Sequence, residues 1–331
     1  MSRRRFIGGS VAGATLGLLS GCDHVRVLTR RRTGVPRVGY LAPDNPPTSA
    51  SRAFVQSLRD MGYVDGQNIE IVYRGADGQE ERLRELAADL VRLPVDAILA
   101  QTAVAARAAK DATSTIPIVI SGSNDPVEAG LVASLARPGG NVTGLSLASP
   151  AIIAKRLQLL TEVAPSATRI ASLVYAPGAT VDRDWSEAQI AGRTLGLQLA
   201  RYDVGSGDDF SSAFAAIAAD GTDALLLVPN QFFSRNRERL LDLVRQNRLP
   251  AMYTSSQDTA PGGLMSYGAD ISDTYYRSAT YMDKILKGAN PADLPIEQPT
   301  KFDLSINLKT AAAQGITIPS VVLAQATEVI Q

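Results

Sequence analysis

The sequence predicts an α/β protein made of two doubly wound parallel sheets, and three observations lead to this fold class. Short apolar runs alternate with segments of helical periodicity along most of the chain. Such alternation is typical of parallel sheets that helices cover on both faces. The pattern restarts after a loop at 137–141, and 331 residues exceed what one hydrophobic core usually holds. We therefore expect two domains of the same class.

The first half of the chain predicts four strands with helices between them. Phe54, Leu58 and Met61 recur at helical spacing, and Gly62 follows where a glycine would end the helix. The predicted strands are 37–41, 69–73, 96–100 and 116–120, and the predicted helices are 51–61, 80–93 and 103–113.

The second half repeats this pattern without repeating the residues themselves. It begins with a helix, and five short strands follow along the chain. The predicted helices are 152–163, 184–195, 209–219 and 235–245, and the predicted strands are 169–175, 197–204, 224–228, 251–253 and 263–267. Two consecutive sets of strands and helices predict two sheets rather than one.

The first residues have the pattern of an export signal. Three arginines at 3–5 resemble the twin-arginine motif, and the uncharged stretch at 6–20 is too rich in small residues for a membrane-spanning helix. The run Leu-Ser-Gly before Cys22 resembles a lipobox, in which the cysteine is acylated after cleavage. We therefore expect a signal peptide at 1–21 and lipid attachment at Cys22, although an ordinary signal peptide with an incidental cysteine is the alternative.

The segment that follows Cys22 predicts a tether on the membrane surface. Residues 22–36 are polar and basic, and they end at a proline. Asp23 directly follows the cysteine, which in enterobacterial lipoproteins marks retention at the inner membrane. The sequence therefore predicts a protein anchored by lipid at the periplasmic side of the inner membrane.

The composition excludes several functional classes. Cys22 is the single cysteine and His24 the single histidine, so the body of the chain has no Ser-His-Asp site, no Cys-His site and no histidine-based metal site. Phosphate-binding glycine loops are also missing. Lysine and arginine together equal the acidic residues at 33 each, so no basic excess indicates nucleic-acid binding. We expect no cofactor, no metal and no nucleic-acid partner.

The candidate ligand site follows from the sheet class. Ligands of open parallel sheets bind beyond the carboxyl ends of the strands. Thr102 opens a helix whose free N–H groups suit a carboxylate, and Asp125 suits a ligand amine. Both residues also stand where helix caps are expected, and capping alone would explain them. Tyr175, Tyr253 and Tyr267 either form an aromatic wall of the cleft or pack in the core.

Several segments together carry a resemblance to a known family. From residue 37 to the end, the chain resembles the ABC transporter substrate-binding proteins of the group with tryptophan- and phenylalanine-binding members, a branch of the type I periplasmic binding proteins. The segments that carry the resemblance are 62–69, 113–119, 124–127, 130–132, 136–144, 285–295 and 297–302 with Asn307.

The resemblance implies two Rossmann-like lobes joined by a three-segment hinge, with the ligand enclosed between them. The first lobe would comprise 37–142 with 267–295, and the second 143–266 with 296–331. The ligand-binding positions implied by the resemblance are Asp44, Thr102, Ala103, Ser123, Asn124, Asp125, Tyr175, Asn230 and Tyr253.

The expected function is capture of a small molecule for import. The lobes would close on an amino acid or another aromatic or carboxylated compound, and the closed form would dock on an ABC permease. We expect a monomer and no enzymatic activity. Two alternatives are a lipoprotein that presents its ligand to a membrane receptor and an enzyme that uses carboxylates such as Asp125 or Asp270.

Overall fold

The computed structural model describes residues 34–123, 125–147, 150–177 and 181–331. The predicted signal segment, Cys22 and the first part of the tether lie outside these residues, as does Asn124. Among the described residues, no helix is long and apolar enough to cross a membrane.

Five parallel strands of the described chain form the first sheet. Its strand order is β2-β1-β3-β4-β5, with helices on both faces. The elements of this region are β1 (Arg37–Ala42), α1 (Ser49–Asp60), β2 (Glu70–Gly75), a 3-10 turn (Glu80–Arg82), α2 (Leu83–Arg92), β3 (Ala97–Ala100), α3 (Ala103–Ala112), β4 (Ile118–Ser123) and β5 (Val142–Ser146).

The second sheet starts after the first crossing between the sheets. Its elements are α4 (Pro150–Val163), β6 (Arg169–Tyr175), α5 (Val181–Thr194), β7 (Gln198–Val204), α6 (Asp209–Ala219), β8 (Ala224–Leu227), α7 (Gln231–Arg235), α8 (Arg237–Gln246), β9 (Ala251–Tyr253), α9 (Ser256–Thr259) and β10 (Met265–Ala269).

The chain then returns to the first sheet before it completes the second. Helix α10 packs beside α1 on the first sheet, and β11 pairs antiparallel with β10 in the second sheet. The second sheet therefore has the order β12-β11-β10-β9-β8-β6-β7. The remaining elements are α10 (Ile271–Leu286), a 3-10 turn (Pro291–Asp293), β11 (Phe302–Asn307), α11 (Leu308–Ala313), α12 (Ser320–Leu323) and β12 (Glu328–Ile330).

Local chemistry explains where α1 begins and ends. The Thr48 hydroxyl accepts a hydrogen bond from the Ser51 N–H, and the Ser51 hydroxyl accepts one from the Thr48 N–H, at 3.2 Å and 2.8 Å. This reciprocal pair satisfies two N–H groups that a helix start leaves free. Gly62 has φ +89° just beyond the last turn, a conformation that glycine adopts without strain. The prediction that Gly62 ends this helix is confirmed.

The strand pairing places all three crossings between the lobes at positions that differ from the expected ones. Strand β5 pairs with β4 through its whole length, so the first crossing follows Ser146 rather than Val142. Gly144 permits this pairing, because a Cβ there would lie 2.3 Å from the Ile120 oxygen. Strand β10 lies in the second sheet, so the second crossing follows Ala269. Glu297 bridges to β5, which places the third crossing beyond that residue.

Candidate functional site

The carboxyl ends of both sheets face each other between the lobes, and the loop after β1 makes the first contact there. The Asp44 carboxylate accepts a hydrogen bond from Gln231 Nε2 at 3.2 Å and forms an ion pair with Arg235 Nε at 3.4 Å. Arg235 also donates to the Gly78 oxygen at 3.2 Å. A Cβ on Gly75 would lie 2.7 Å from the backbone carbonyl oxygen of Asp44, so this glycine lets the loop pack on the end of β2.

A second contact joins the loop after β4 to the first turn of α5. Arg183 forms ion pairs with Asp125 and, at 3.2 Å, with Glu128. Burial opposes the charge of Arg183, but the hydrogen bond and charge of Asp184, with the Asp125 charge, raise the pKa of Arg183 above its ordinary value. The guanidinium therefore stays charged and ties the two lobes together at this end of the cleft.

Asp125 has partners at both of its carboxylate oxygens. Oδ1 accepts from the Val127 and Glu128 N–H groups at 2.8 Å and 2.9 Å, and Oδ2 pairs with Arg183. Residues 126–130 form a turn and not a helix, so Oδ1 of Asp125 closes a turn, and Oδ2 belongs to the contact between the lobes. The expectation that Asp125 caps a helix is therefore wrong. A ligand amine would have to share this carboxylate with Arg183.

A third contact lies at the start of α1. Gln257 Nε2 donates to the Ser49 hydroxyl at 3.0 Å, from α9 of the second lobe to α1 of the first. With the two arginine contacts, it joins the two lobes beside the carboxyl ends of their strands.

Buried hydroxyl groups without partners lie on strands of both sheets. Ser121 and Ser123 on β4 and Tyr253 on β9 are each 1% exposed, and their hydroxyls make no hydrogen bond within the described residues. A buried polar group left unpaired costs about 1–3 kcal/mol. Burial, followed by the Asp258 charge, raises the pKa of the Tyr253 phenol, so it stays protonated and can donate. These hydroxyls are therefore suited to a polar ligand.

The helix starts beside these hydroxyls are capped by their own side chains. Thr102 Oγ1 accepts from the Ala105 N–H at 3.2 Å, and Ala103 is the first residue of α3. Asn230 Oδ1 accepts from the Phe232 N–H at 2.9 Å and opens α7. Capping is thus confirmed for Thr102, and Asn230 does the same in the second lobe.

The three tyrosines expected to share one wall pack with different neighbours. Tyr175 stacks on Phe232 with ring centroids 4.5 Å apart, whereas Tyr267 stacks on Phe302 at 5.7 Å. Tyr253 lies in the core under α8. Within the described residues, no ring contact joins two of these tyrosines, so they do not form one continuous wall.

Sequence reasoning missed the arginines of the second lobe. Arg156, Arg183 and Arg235 all lie on helices close to the strand ends of the second sheet. Arg156 gave a signal, because it stands on the apolar face of its helix, three residues after Ile153 and four before Leu160. The ion pairs of Arg183 and Arg235 gave none, since their partners are distant in sequence. Asp270, the alternative enzymatic carboxylate, caps α10 through the Asp273 N–H at 3.0 Å.

Similarity to known proteins is strong at the level of fold. A solved structure of the ABC domain in complex with L-Trp from Streptococcus pneumoniae has a TM-score of 0.82 and 24% identity, over 90% of this chain and all of that one. A conserved domain protein of Vibrio cholerae has a TM-score of 0.82 and 29% identity, over 89% of this chain and all of that one. The fold prediction, a type I periplasmic binding protein, is confirmed.

Sequence comparison reaches the same family. The tyrosine-binding protein of Clostridioides difficile strain R20291 is 25% identical over 264 residues, which span 80% of this chain and 76% of that protein. A family model described as ABC transporter substrate binding protein matches residues 48–330. The resemblance found in the sequence is confirmed, and this chain belongs to the ABC transporter substrate-binding protein family.

Proposed function

We propose that this protein is the extracytoplasmic substrate-binding component of an ABC importer, and that it encloses one small molecule between its lobes. The observation that carries the proposal is the set of unpaired buried hydroxyls of Ser121, Ser123 and Tyr253, which come from the C-terminal parts of β4 and β9, one strand in each sheet. A ligand with polar groups on two sides would satisfy both sets.

The ligand class we propose is an aromatic amino acid. Two similar proteins are described by their binding to tyrosine and to L-Trp. In this chain, the stacked rings of Tyr175 and Phe232 supply a flat apolar surface beside the capped start of α7. The hydroxyls of Ser123 and Tyr253 supply hydrogen bonds to the polar end of such a ligand.

Hinge closure is the mechanism that the contacts between the lobes support. Asp44 with Arg235 and Asp125 with Arg183 join the lobes only when the carboxyl ends of the two sheets approach each other. A ligand that contacts both lobes favours this state over an open one. The closed protein would then deliver its ligand to a permease.

Calorimetric titration of the mature protein with all twenty amino acids tests the ligand proposal. We expect saturable binding of tyrosine, tryptophan or phenylalanine at one site per chain, and none of the aliphatic amino acids to bind as tightly. Mass spectrometry of small molecules that co-purify with the protein gives an independent identification. A preference for aliphatic or charged amino acids would overturn the aromatic assignment, and absence of binding by every compound would overturn the function.

We also propose that Cys22 is acylated and holds the protein at the membrane surface. The lipobox-like run before this single cysteine supports the assignment, and attachment would keep the binder at high local concentration beside its permease. Replacement Cys22→Ser should move the protein from the membrane fraction to the soluble fraction and abolish labelling by a fatty-acid analogue. Membrane retention of the unlabelled variant would contradict the proposal.

A further inference from the structure

One buried arginine remains without a charged partner in the described part of the chain. Arg156 is 4% exposed and lies on α4 among the apolar residues that cover the second sheet. Its Nε donates to the Tyr267 oxygen at 2.7 Å. Its Nη1 and Nη2 donate to no described residue, and no described carboxylate lies within ion-pair distance of them.

The surroundings of Arg156 keep it charged but do not neutralise it. Burial lowers the pKa of Arg156 to about 10, and the charge of Asp184 acts in the opposite direction. The group is therefore a cation at neutral pH. Asp184 already accepts a hydrogen bond from Arg183 Nη2 at 2.8 Å. A buried charge without a close counter-ion is costly, and such groups are normally paired.

The position of Arg156 is on the cleft side of the second sheet. The Tyr267 oxygen that accepts from Arg156 Nε lies near the carboxyl end of β10. A Cβ on the next residue, Gly268, would lie 3.8 Å from Arg156 Nη2. Asp184 stands in the first turn of α5, which follows the carboxyl end of β6. Helix α4 itself starts just beyond the first crossing between the lobes. All of these neighbours belong to the edge that faces the first lobe.

We propose that Arg156 binds the carboxylate of the ligand through Nη1 and Nη2, which assigns the residue that recognises the carboxylate of the proposed amino acid. The two N–H groups of a guanidinium edge match the two oxygens of a carboxylate. This inference rests on the proposed function, because it assigns a group of the ligand enclosed between the lobes. It differs from the expectation in the sequence analysis, which placed the carboxylate at the start of α3 beside Thr102.

The test compares each acid with its amide. The mature protein is titrated with L-tyrosine and L-tryptophan and with the two corresponding amino-acid amides, which keep the ring and the amine but lack the negative charge. We expect the wild-type protein to bind the acids at least about 100-fold more tightly than the amides. A ratio near one in the wild-type protein overturns the inference without any variant.

The variant Arg156→Lys retains the charge but loses the planar pair of donors. We expect it to lower the affinity for the acid roughly 10- to 100-fold and to leave the affinity for the amide nearly unchanged. Arg201→Lys is the matched control, because Arg201 lies in the same lobe but is paired with Asp182 and Asp203 at 3.0 Å and 2.7 Å.

The outcomes separate the two proposals. Equal losses for acid and amide in Arg156→Lys mean that the residue only supports the fold, and wild-type affinities for both compounds mean that the carboxylate binds elsewhere, such as at the start of α3. Either result overturns this inference while the binding function stands. If Arg156→Lys does not fold, as judged by its thermal transition, the wild-type ratio decides. Absence of binding by these four compounds and by every amino acid of the wider titration overturns both proposals.

Discussion

The first lobe presents acids and hydroxyls to the cleft, whereas the second lobe presents arginines. Asp44 and Asp125 of the first lobe pair with Arg235 and Arg183 of the second. Among the described residues at the carboxyl ends of the two sheets, no ion pair joins a basic residue of the first lobe to an acid of the second. Arg156 has the same sign as these two arginines but no acid opposite it. Acids of the first lobe therefore neutralise Arg183 and Arg235, whereas Arg156 has no acid opposite it and is left for an anionic group of the ligand.

The largest expected effect comes from reversing the charge of Arg183 in the second lobe. Arg183→Glu would place a carboxylate beside Asp125, Glu128, Asp184 and Glu187, all of which lie within 4.0 Å of the arginine. Repulsion between these acids opposes closure, and affinity falls with the fraction of molecules able to close. We expect a loss of roughly 100-fold, about 2.7 kcal/mol, in a calorimetric titration.

The control for this reversal makes the same change of charge at a residue away from the cleft. Arg245→Glu alters an arginine of α8 that is largely exposed and whose one ion pair with a described residue is to Asp242 of its own helix. It should change affinity less than twofold. Small-angle scattering should also show a more open average shape for Arg183→Glu in the presence of ligand. Equal affinities for the two variants would mean that the Arg183 contact does not govern closure.

A smaller effect is expected from the buried hydroxyl of the second lobe. Tyr253→Phe removes a hydroxyl that has no partner within the described residues and retains the ring in the core. If the ligand satisfies this group, affinity should fall about 5- to 10-fold, while the thermal transition stays the same or rises. Tyr202→Phe is the matched control, since its hydroxyl donates to Asp220 at 2.7 Å. That variant should lose about 1 kcal/mol of stability and no affinity.

The contact at the other end of the cleft should have less influence than the Arg183 contact. Arg235→Ala removes one ion pair of 3.4 Å with Asp44 and one of 3.7 Å with Glu80, both between partly exposed side chains. Such pairs contribute about 0.2–1 kcal/mol, so affinity should fall at most about fivefold. The loss should shrink at high salt, because salt screens exposed charges. A loss as large as that of Arg183→Glu would reverse the ranking of the two contacts.

The smallest effect concerns an acid that acts within one lobe. Hydrogen bonds from the Arg169 and Thr168 N–H groups lower the pKa of Asp223 below its ordinary value. A carboxyl with a lowered folded pKa stabilises the protein above its unfolded pKa, and this contribution is lost as the pH falls through the folded pKa. Asp223→Asn should therefore lower the melting temperature slightly at neutral pH, and this difference should vanish once the pH falls below the lowered folded pKa of Asp223. Ligand affinity at neutral pH should be unaffected, in contrast to changes in acids that cross the cleft.

The regular part of the fold was predictable because its signals are local. Strands such as β1 and β6 are continuous apolar runs, and helices such as α1 have one apolar face and capping residues at their ends. Strand β5 was missed because it follows a glycine-rich loop and contains Gly144, which weakens a strand pattern. Strand β11 was missed because its antiparallel position depends on the chain returning from the other lobe.

The sequence by itself determined the fold class, the family and the positions where loops follow strands, because periodicity and caps act over a few residues. It also identified Thr102 as a helix cap. Tertiary structure alone decided that Asp125 meets Arg183, 58 residues away, and that Asp44 meets Gln231, 187 residues away. Neither pairing has a local signal, since contacts between residues far apart in sequence depend on how the two lobes approach each other. The burial of Arg156 without a close counter-ion is decided by the packing of α4 on the second sheet.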